Sequence, residues 1–363
     1  KIMGAGGISN RLLECANAIV GRFRGGLAYV NVLGSMFFGH LSGSAVADVS
    51  SLGSVEIPMQ VKAGYDREFS VAITVASSCQ GVLIPPSHNM IIYSVAAGGV
   101  SVGALFMAGL LPGILCGCLL LAVCWWLSKL RNYPKGEAVP FKQAVKIIWN
   151  ALLALFTAVI ILVGVTAGLF TATESAAIAC IYAFIVSTFV YKELKPSMMP
   201  RLLMNTVKTL AMVFSLIAAA GAFGYLLAML RIPTLITEGL MRISSNKIII
   251  FLMINLMLLV LGCIMDMAPL ILIVTPILIP VVKAFGMSPV QFGVMLIFNL
   301  AIGLCTPPVG SALFVGCGIG KISVESTVKA MMPMYIAMVL GLMLVTFVPQ
   351  ISLFLPQLLG YAV

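Results

Sequence analysis

Uninterrupted apolar runs decide what this chain can fold into. The run 103–128 carries no acidic or basic side chain, and it is longer than the roughly 20 residues that an α-helix needs to cross a bilayer. Further runs of this kind follow along the chain, whose mean hydropathy is +1.14 and of which 9% is charged. These values exclude an ordinary soluble domain. The chain is therefore predicted to be an all-α polytopic membrane protein.

The charge and the reactive residues of the chain narrow its possible functions. A net charge of +10 would suit a nucleic-acid partner in a soluble protein, but basic residues of a membrane protein collect in its cytoplasmic loops. No nucleic-acid partner is therefore expected. The nine cysteines show neither zinc-site nor disulfide spacing, and the chain has no HExxH motif. We expect that it is not an enzyme.

The stretch HLSGSAVAD at 40–48 interrupts an otherwise apolar region with polar groups. The flanking segments 26–41 and 45–62 are each too short for a comfortable crossing, and basic residues lie beyond both of them. This pattern predicts a re-entrant hairpin that enters and leaves on one side, with its tip at membrane depth. Segment 247–286 repeats the pattern, with a break near Asp266.

An internal repeat relates the two hairpins. Sliding the chain along itself until Pro58 falls on Pro280 matches, without a gap, several further prolines and glycines, and we call this displacement the repeat shift. The repeat shift aligns the PPSHN sequence at 85–89 with the TPP sequence at 306–308, and both interrupt an apolar crossing. Matched prolines and glycines are informative because they constrain the backbone. Each repeat is thus predicted to contain a hairpin and a broken helix.

The distribution of basic residues indicates that the repeats are inverted. With the base of the first hairpin in the cytoplasm, fifteen basic residues fall inside and four outside. Five crossings separate the two hairpins in this layout, and an odd number makes the second hairpin enter from the opposite side. Inverted repeats with broken helices are typical of secondary transporters.

This layout divides the chain into four segments. They are an amphipathic interfacial helix at 1–25, a first repeat at 26–130 with hairpin 26–62 and broken helix 68–98, a scaffold at 131–230 with an interfacial arm at 192–210 and a span at 211–230, and a second repeat at 231–363 with hairpin 247–286 and broken helix 290–319. The sequence starts without an initiator Met, and we expect it to be N-terminally incomplete.

The breaks predict binding sites, because hydrocarbon cannot satisfy the backbone groups that a broken helix exposes. Carbonyls at one half-helix end suit Na⁺, and amides at the other suit a carboxylate. In the first hairpin Gly43 frees the backbone, Ser42 and Ser44 supply hydroxyls, and Asp48 adds a charge one turn later. The alternative is a serine N-cap with an acid in the first turn and no ion.

Two further places allow more than one interpretation. Asp266 aligns with Ser44 under the repeat shift, so it is a second carboxylate available to a cation. His88 and Asn89 either hydrogen-bond a substrate or cap the broken helix. The sequence leaves both interpretations of this pair open.

Five segments resemble the large membrane subunit of tripartite ATP-independent periplasmic (TRAP) transporters. They are GGLAYVNVLGSMFFGHLSGSAVADVSSLGSVEIPMQVKAGYDREFS, PPSHNMIIYS, GLFTATESAA, CIMDMAPLILIVTPILIPV and GLCTPPVGSALFV. The resemblance covers essentially the whole chain. It implies an elevator-type transporter fold in the bacterial inner membrane, in which the domain that bears the hairpins moves.

The resemblance also implies an activity and partners. The expected activity is Na⁺-driven import of an organic carboxylate, of the sialic-acid or C4-dicarboxylate class, and PPSHN favours a sialic-acid or similar sugar-acid member. The expected partners are a periplasmic substrate-binding protein and a small membrane subunit, separate or fused upstream. The alternative is a Na⁺/dicarboxylate symporter of related hairpin architecture that needs no binding protein.

The resemblance finally assigns site residues. Two or more Na⁺ sites are implied, one at Ser42, Gly43, Ser44, Asp48, Pro85 and Asn89, and a second at Asp266, Thr306 and Gly310. The substrate is expected at Ser44, Ser87, His88, Asn89, Asp266 and Ser311.

Overall fold

The computed structural model of the protein describes residue 2 and residues 8–136, 139–244 and 246–362. The regular elements of these residues are helices, and seven of the helices are long and apolar enough to cross a membrane. The number is eight when one bent pair of helices is taken as a single span. The prediction of an all-α polytopic membrane protein is confirmed.

The first repeat follows a short N-terminal helix. The helices in this part are α1 (Ile8–Val20), α2 (Gly26–Ser42), α3 (Ala45–Lys62), α4 (Arg67–Leu83), α5 (His88–Ala96) and α6 (Val102–Leu130). The arms of the predicted hairpin are α2 and α3, and the predicted broken helix is α4 and α5, which are bent by 51°. Residues 1 and 3–7 of the predicted interfacial segment lie outside the described residues.

Four α-helices lie between the first repeat and the second hairpin, and one of them differs from the expected layout. They are α7 (Phe141–Thr166), α8 (Ala172–Ile185), α9 (Met199–Met229) and α10 (Ile232–Ile243). The structure has one continuous helix, α9, where the sequence suggested an arm at 192–210 and a separate span at 211–230. No proline or glycine occurs between 201 and 220, so nothing in the backbone stops the helix at the boundary.

The second repeat has the same order of elements as the first. Its helices are α11 (Lys247–Ile264), α12 (Met267–Ala284), α13 (Pro289–Leu304), α14 (Ser311–Gly320) and α15 (Val324–Phe347), and α16 (Pro349–Leu358) follows it. The repeat shift carries both ends of α3 onto those of α12, and the starts of α4 and α6 onto those of α13 and α15. The repeat found in the sequence is therefore also a repeat of the fold.

The two repeats pack into one another. The second arm of each hairpin lies against the short half of the other repeat's broken helix, because α3 packs on α14 and α12 packs on α5. The Tyr93 hydroxyl of α5 donates to the Pro289 carbonyl at the start of α13, at 2.6 Å. One hydrophobic core runs through both hairpins and both broken helices. A separate small core of Leu12, Cys15, Ala151 and Ala154 joins α1 to α7 beside it.

Candidate functional site

The tip of the first hairpin is a helix break at Gly43 and Ser44. Gly43 ends α2 with a left-handed backbone (φ 58°), and its N–H donates to the Gly39 carbonyl at 2.7 Å. Ser44 is the N-cap of α3, and its hydroxyl accepts the Ala47 N–H at 3.4 Å. A capping role for Ser44 is thus present, and a role in ion binding stays a prediction. The side chain of Ser42 lies outside the described part of the chain.

The first broken helix reaches this tip at its own break. Asn89 Nδ2 donates to the Gly43 carbonyl at 3.1 Å. The other amide atom, Asn89 Oδ1, and the hydroxyl of Ser87 are buried and have no hydrogen-bond partner among the described residues. Pro85, just before them, is buried and joined to Pro86 by a cis peptide bond. The fold therefore collects carbonyl, amide and hydroxyl oxygens at one place, and such ligands suit a hard cation.

Asp48 lies one helical turn along α3 from the tip and is 1% exposed. Its carboxylate approaches α4 at Gly81, where an added Cβ would lie 3.5 Å from Asp48 Oδ2. The Ser35 hydroxyl of α2 faces the same carboxylate. Neither carboxylate oxygen has a well-formed hydrogen bond to a described residue. A buried charge needs neutralisation, so this position favours a nearby cation.

His88 of the first repeat lies near Asp266 of the second. His88 begins α5 and is exposed, and it lies against Gly43, where an added Cβ would be 2.8 Å from its Nδ1. Asp266 is close enough to act electrostatically on the His88 ring. Asp266 is the N-cap residue of α12, but its side chain makes no capping hydrogen bond and is exposed. Of the predicted substrate residues, His88 and Asp266 are thus exposed and close to one another.

The break in the second broken helix lies between Thr306 and Ser311. Gly310 has a left-handed backbone (φ 40°), and an added Cβ there would lie 2.8 Å from the Thr306 carbonyl oxygen. The Val309 N–H donates to the Cys263 carbonyl at 3.0 Å, which fastens this break to the end of α11. The hydroxyl of Ser311 has no partner among the described residues. Asp48 is buried between α2 and α4 near the first tip, whereas Asp266 at the second tip is exposed. The candidate site therefore has a buried part at the first tip and a more open part at the second.

Sequence reasoning did not predict two close glycine contacts. An added Cβ at Gly39 would lie 2.0 Å from the Gly81 Cα, and one at Gly303 would lie 2.6 Å from the backbone of Gly262. In each repeat, the first arm of the hairpin therefore lies directly against the broken helix. The contact precedes the break of the hairpin and the break of the broken helix. A signal was present, because the repeat shift carries Gly81 onto Gly303.

Sequence reasoning also overlooked a buried carboxylate in the first hairpin. Glu56 lies two helical turns beyond Asp48 on α3 and is 1% exposed. Asn31 and Gln60, close to it in the hairpin, are fully buried as well. The signal for this group was an acid in the middle of an apolar hairpin arm.

Gly43→Ala is expected to lower the initial rate of substrate uptake about tenfold or more. A tenfold change corresponds to roughly 1.4 kcal/mol. A left-handed backbone costs an alanine about 1–2 kcal/mol, and the new methyl would also meet the His88 ring and backbone. Gly64→Ala is the matched control, because Gly64 has φ 90° and nothing lies within 4 Å of its added Cβ. Initial uptake rates of the two variants in proteoliposomes test this. Equal losses in both would show that contact with His88 is unimportant.

Comparison with protein families identifies one match over nearly the whole chain. The family described as "Tripartite ATP-independent periplasmic transporter, DctM component" matches residues 1–351.

Individual relatives include proteins with assigned transport substrates. The uncharacterized protein YgiK of Salmonella typhimurium is 43% identical over 99% of this chain and 82% of its own length. The isethionate TRAP transporter permease protein DctMQ of Oleidesulfovibrio alaskensis is 40% identical over 97% of this chain, which spans 55% of that longer protein. The sialic acid TRAP transporter large permease protein SiaM of Vibrio cholerae is 38% identical over 99% of this chain and 84% of its own length.

A solved structure has the same fold. The YdaH transporter of Alcanivorax borkumensis, described as having an unusual topology, superposes with a TM-score of 0.64 over 95% of this chain and 84% of its own. The identity is 14%, so this likeness concerns the fold alone.

Proposed function

The chain belongs to the DctM-component family of tripartite ATP-independent periplasmic transporters, and from this premise we propose that it imports an organic carboxylate together with Na⁺. The observation that carries the proposal is the buried oxygen cluster at the first hairpin tip. There Asn89 Nδ2 donates to the Gly43 carbonyl, and the Asn89 amide oxygen and the nearby Ser87 hydroxyl are buried without a hydrogen-bond partner among the described residues. Packing alone does not explain why oxygen atoms without partners are buried here, whereas binding of a cation does.

The first Na⁺ site is placed at this tip. Gly43 and Pro85 shape the two breaks, Ser42 and Ser44 flank the first of them, and Asn89 joins the two. Asp48, one helical turn further along α3, supplies the negative charge. A monovalent cation bound here neutralises a carboxylate that has no described basic partner.

A second Na⁺ is assigned to the other break. Thr306 and Gly310 lie against one another there, and the left-handed Gly310 turns the backbone so that carbonyl groups are left outside the helix ladder. Asp266 supplies charge from the tip of the second hairpin. Its exposure fits a site that exchanges ions and substrate with solvent.

The substrate is placed where the two tips meet. The amide groups at the start of α5 and α14 attract an anion, and these helices begin at His88 and Ser311. Ser44, Ser87, Asn89 and Asp266 surround this region and offer partners for hydroxyl groups. Isethionate and sialic acid, named for two relatives, are both hydroxylated organic anions. We assign a hydroxylated or sugar acid of the sialic-acid type as the substrate class.

Transport is proposed to proceed by an elevator movement in the bacterial inner membrane. The hairpins and broken helices share one core, α1 and α7 share a smaller one, and a third core joins α1 to the first hairpin. The larger body carries both ion sites and the substrate, so it can move as a unit against α7, α8 and α9. Exposed aromatic side chains on α7 and α9, including Trp149 and Phe214, offer a surface to lipid or to the small membrane subunit.

Uptake by reconstituted protein tests this function. Proteoliposomes would contain the chain with its small membrane component, and they would receive labelled sialic acid, other sugar acids and C4-dicarboxylates. The expected result is uptake of one class that requires an inward Na⁺ gradient and a soluble binding protein. Equal uptake with K⁺ in place of Na⁺ would contradict the coupling. Uptake without any soluble protein would instead favour the symporter that needs no binding protein.

A further inference from the structure

A group of polar side chains inside the first hairpin has no part in the tip site. Asn31 of α2 and Glu56 and Gln60 of α3 are each at most 1% exposed. We call these three residues the inner polar cluster. Glu56 follows Asp48 by eight residues, which is about 12 Å along an α-helix. The cluster therefore lies toward the base of the hairpin, away from the tip.

The contacts place the cluster between the two arms. Gln60 Nε2 donates to the Leu27 carbonyl at 3.2 Å. Glu56 Oε1 lies at Gly34, 3.2 Å from the position of an added Cβ. Leu27 and Gly34 share a face of α2 with Asn31 between them, because residues three and four apart on a helix are neighbours. Asn31 therefore lies on the face of α2 that Glu56 and Gln60 approach at Gly34 and Leu27.

The cluster presents more unpaired acceptors than donors. Asn31 Nδ2 donates to the Thr74 hydroxyl of α4 at 2.6 Å, and the Gln60 nitrogen is engaged by Leu27. Each amide nitrogen thus makes one hydrogen bond outside the cluster and keeps one further N–H. Asn31 Oδ1, Gln60 Oε1 and both oxygens of Glu56 are buried without a hydrogen-bond partner among the described residues. An ionised carboxylate among such acceptors is strongly unfavourable unless a positive charge joins them.

The protein supplies no such charge in the described residues. The ion pairs recorded there join Arg11 to Glu193 and Arg131 to Asp66, and neither includes Glu56. A bound cation or a proton must therefore neutralise Glu56.

The second repeat shows that the fold does not require these polar groups. The repeat shift carries Glu56 onto Leu278 and Gln60 onto Val282, which are 2% and 0% exposed. The helices α3 and α12 that carry them are both 18 residues long. The same arm thus packs in the same fold with apolar side chains, and the first repeat keeps an acid at this position for another reason.

We propose that the inner polar cluster binds a further Na⁺, separate from the one at the tip. Glu56 supplies the charge, and the side-chain oxygens of Asn31 and Gln60 complete the set. A proton on Glu56 would provide a donor to one acceptor, whereas a hard metal cation takes several oxygen ligands at once. Because Asn31 is also bonded to Thr74, the ion links the hairpin to the broken helix. This inference rests on the Na⁺ coupling proposed above and adds a site to it.

Counting bound ions tests the site. The purified full-length protein would be titrated with ²²Na⁺ in equilibrium dialysis, and the number of ions bound would be compared among variants at a Na⁺ concentration that just saturates the wild type. Glu56→Gln is expected to bind one Na⁺ fewer than the wild type. Asp48→Asn is expected to lose a different ion, so that the double variant binds two fewer. Glu325→Gln, which removes an exposed acid in the first turn of α15, is expected to bind as many as the wild type.

The outcomes separate this site from the proposed function. An unchanged count in Glu56→Gln, with Na⁺-dependent uptake by the wild type, would overturn the further site and leave the coupling in place. Loss of a pH dependence of uptake in Glu56→Gln at an unchanged count would assign a proton to Glu56, which also overturns it. Na⁺-independent uptake by the wild type would contradict the proposed function itself.

A second variant keeps the test decisive where Glu56→Gln does not fold. Asn31→Met with Gln60→Val retains the carboxylate, removes both amide oxygens and introduces the apolar character of the second repeat. Its affinity for one of the bound ions is expected to fall about tenfold or more. Unchanged affinity for every ion would show that the amides are not ligands.

Discussion

Asp48→Asn is expected to lower the apparent Na⁺ affinity of uptake at least about tenfold while the protein still folds. The amide keeps the shape of the side chain but removes its charge. A unit charge 4 Å from the carboxylate gains about 4 kcal/mol at an effective dielectric constant of 20, and tenfold in affinity needs only about 1.4 kcal/mol. The measurement is the initial rate of uptake as a function of Na⁺ concentration in proteoliposomes.

Two companion variants make this result interpretable. Glu325→Gln neutralises an acid in the first turn of α15 that is exposed, so uptake is expected to keep its wild-type Na⁺ dependence. Asp266→Asn probes the second site and is expected to weaken Na⁺ dependence and substrate affinity together. Unchanged Na⁺ dependence in Asp48→Asn would mean that Asp48 does not bind the ion. Its charge would then only interact favourably with the dipole of α3 at the start of that helix.

Gly39→Ala is expected to destabilise the protein by about 3 kcal/mol and to abolish uptake. Its methyl group would lie 2.0 Å from the Cα of Gly81, and two backbones cannot both keep their places at that distance. Separating α2 from α4 would also move Gly43 away from Asn89, which breaks their hydrogen bond at the tip. Thermal unfolding followed by a thiol-reactive dye measures the loss, because buried cysteines such as Cys79 and Cys116 become reactive on unfolding.

Gly318→Ala provides the matched control for this substitution. Gly318 is also a helical glycine, but it is exposed and nothing lies within 4 Å of its added Cβ. The substitution is expected to be neutral or to stabilise the helix by about 0.5–1 kcal/mol, and uptake should persist. A similar melting temperature for Gly39→Ala and Gly318→Ala would contradict the close contact between α2 and α4.

The breaks of both repeats could be predicted because they depend on local chemistry. A glycine between serines and a pair of prolines interrupt a helix wherever that helix packs. The structure places breaks at Gly43, at Pro85, after Ile264 and at Pro307, as the sequence indicated. The boundary near residue 210 could not be predicted in the same way. A change from a polar to an apolar helix face alters the surroundings of a helix but does not end it.

The buried polar groups of the first hairpin show where sequence reasoning stops. Asp48 was identified because it stands beside a break, whereas the position of Glu56 in an apolar arm does not tell which face of the helix carries the acid. Its burial follows from the contact with Gly34 on another helix. The alignment of Glu56 with Leu278 is informative because the two arms have the same length and both side chains are buried.

The sequence by itself determined that the chain crosses a membrane as helices, where those helices break, and that its two halves are repeats of one another. Hydrophobic length, helix-breaking residues and their spacing carry that information locally. Only the tertiary structure decided that Asn89 donates to the Gly43 carbonyl, that Asp266 lies near His88, and that Glu56 is buried without a hydrogen-bond partner among the described residues. Such contacts depend on how each helix is rotated about its axis. One residue of register turns a side chain by about 100°, and that rotation is set by the packing of helices far apart in sequence.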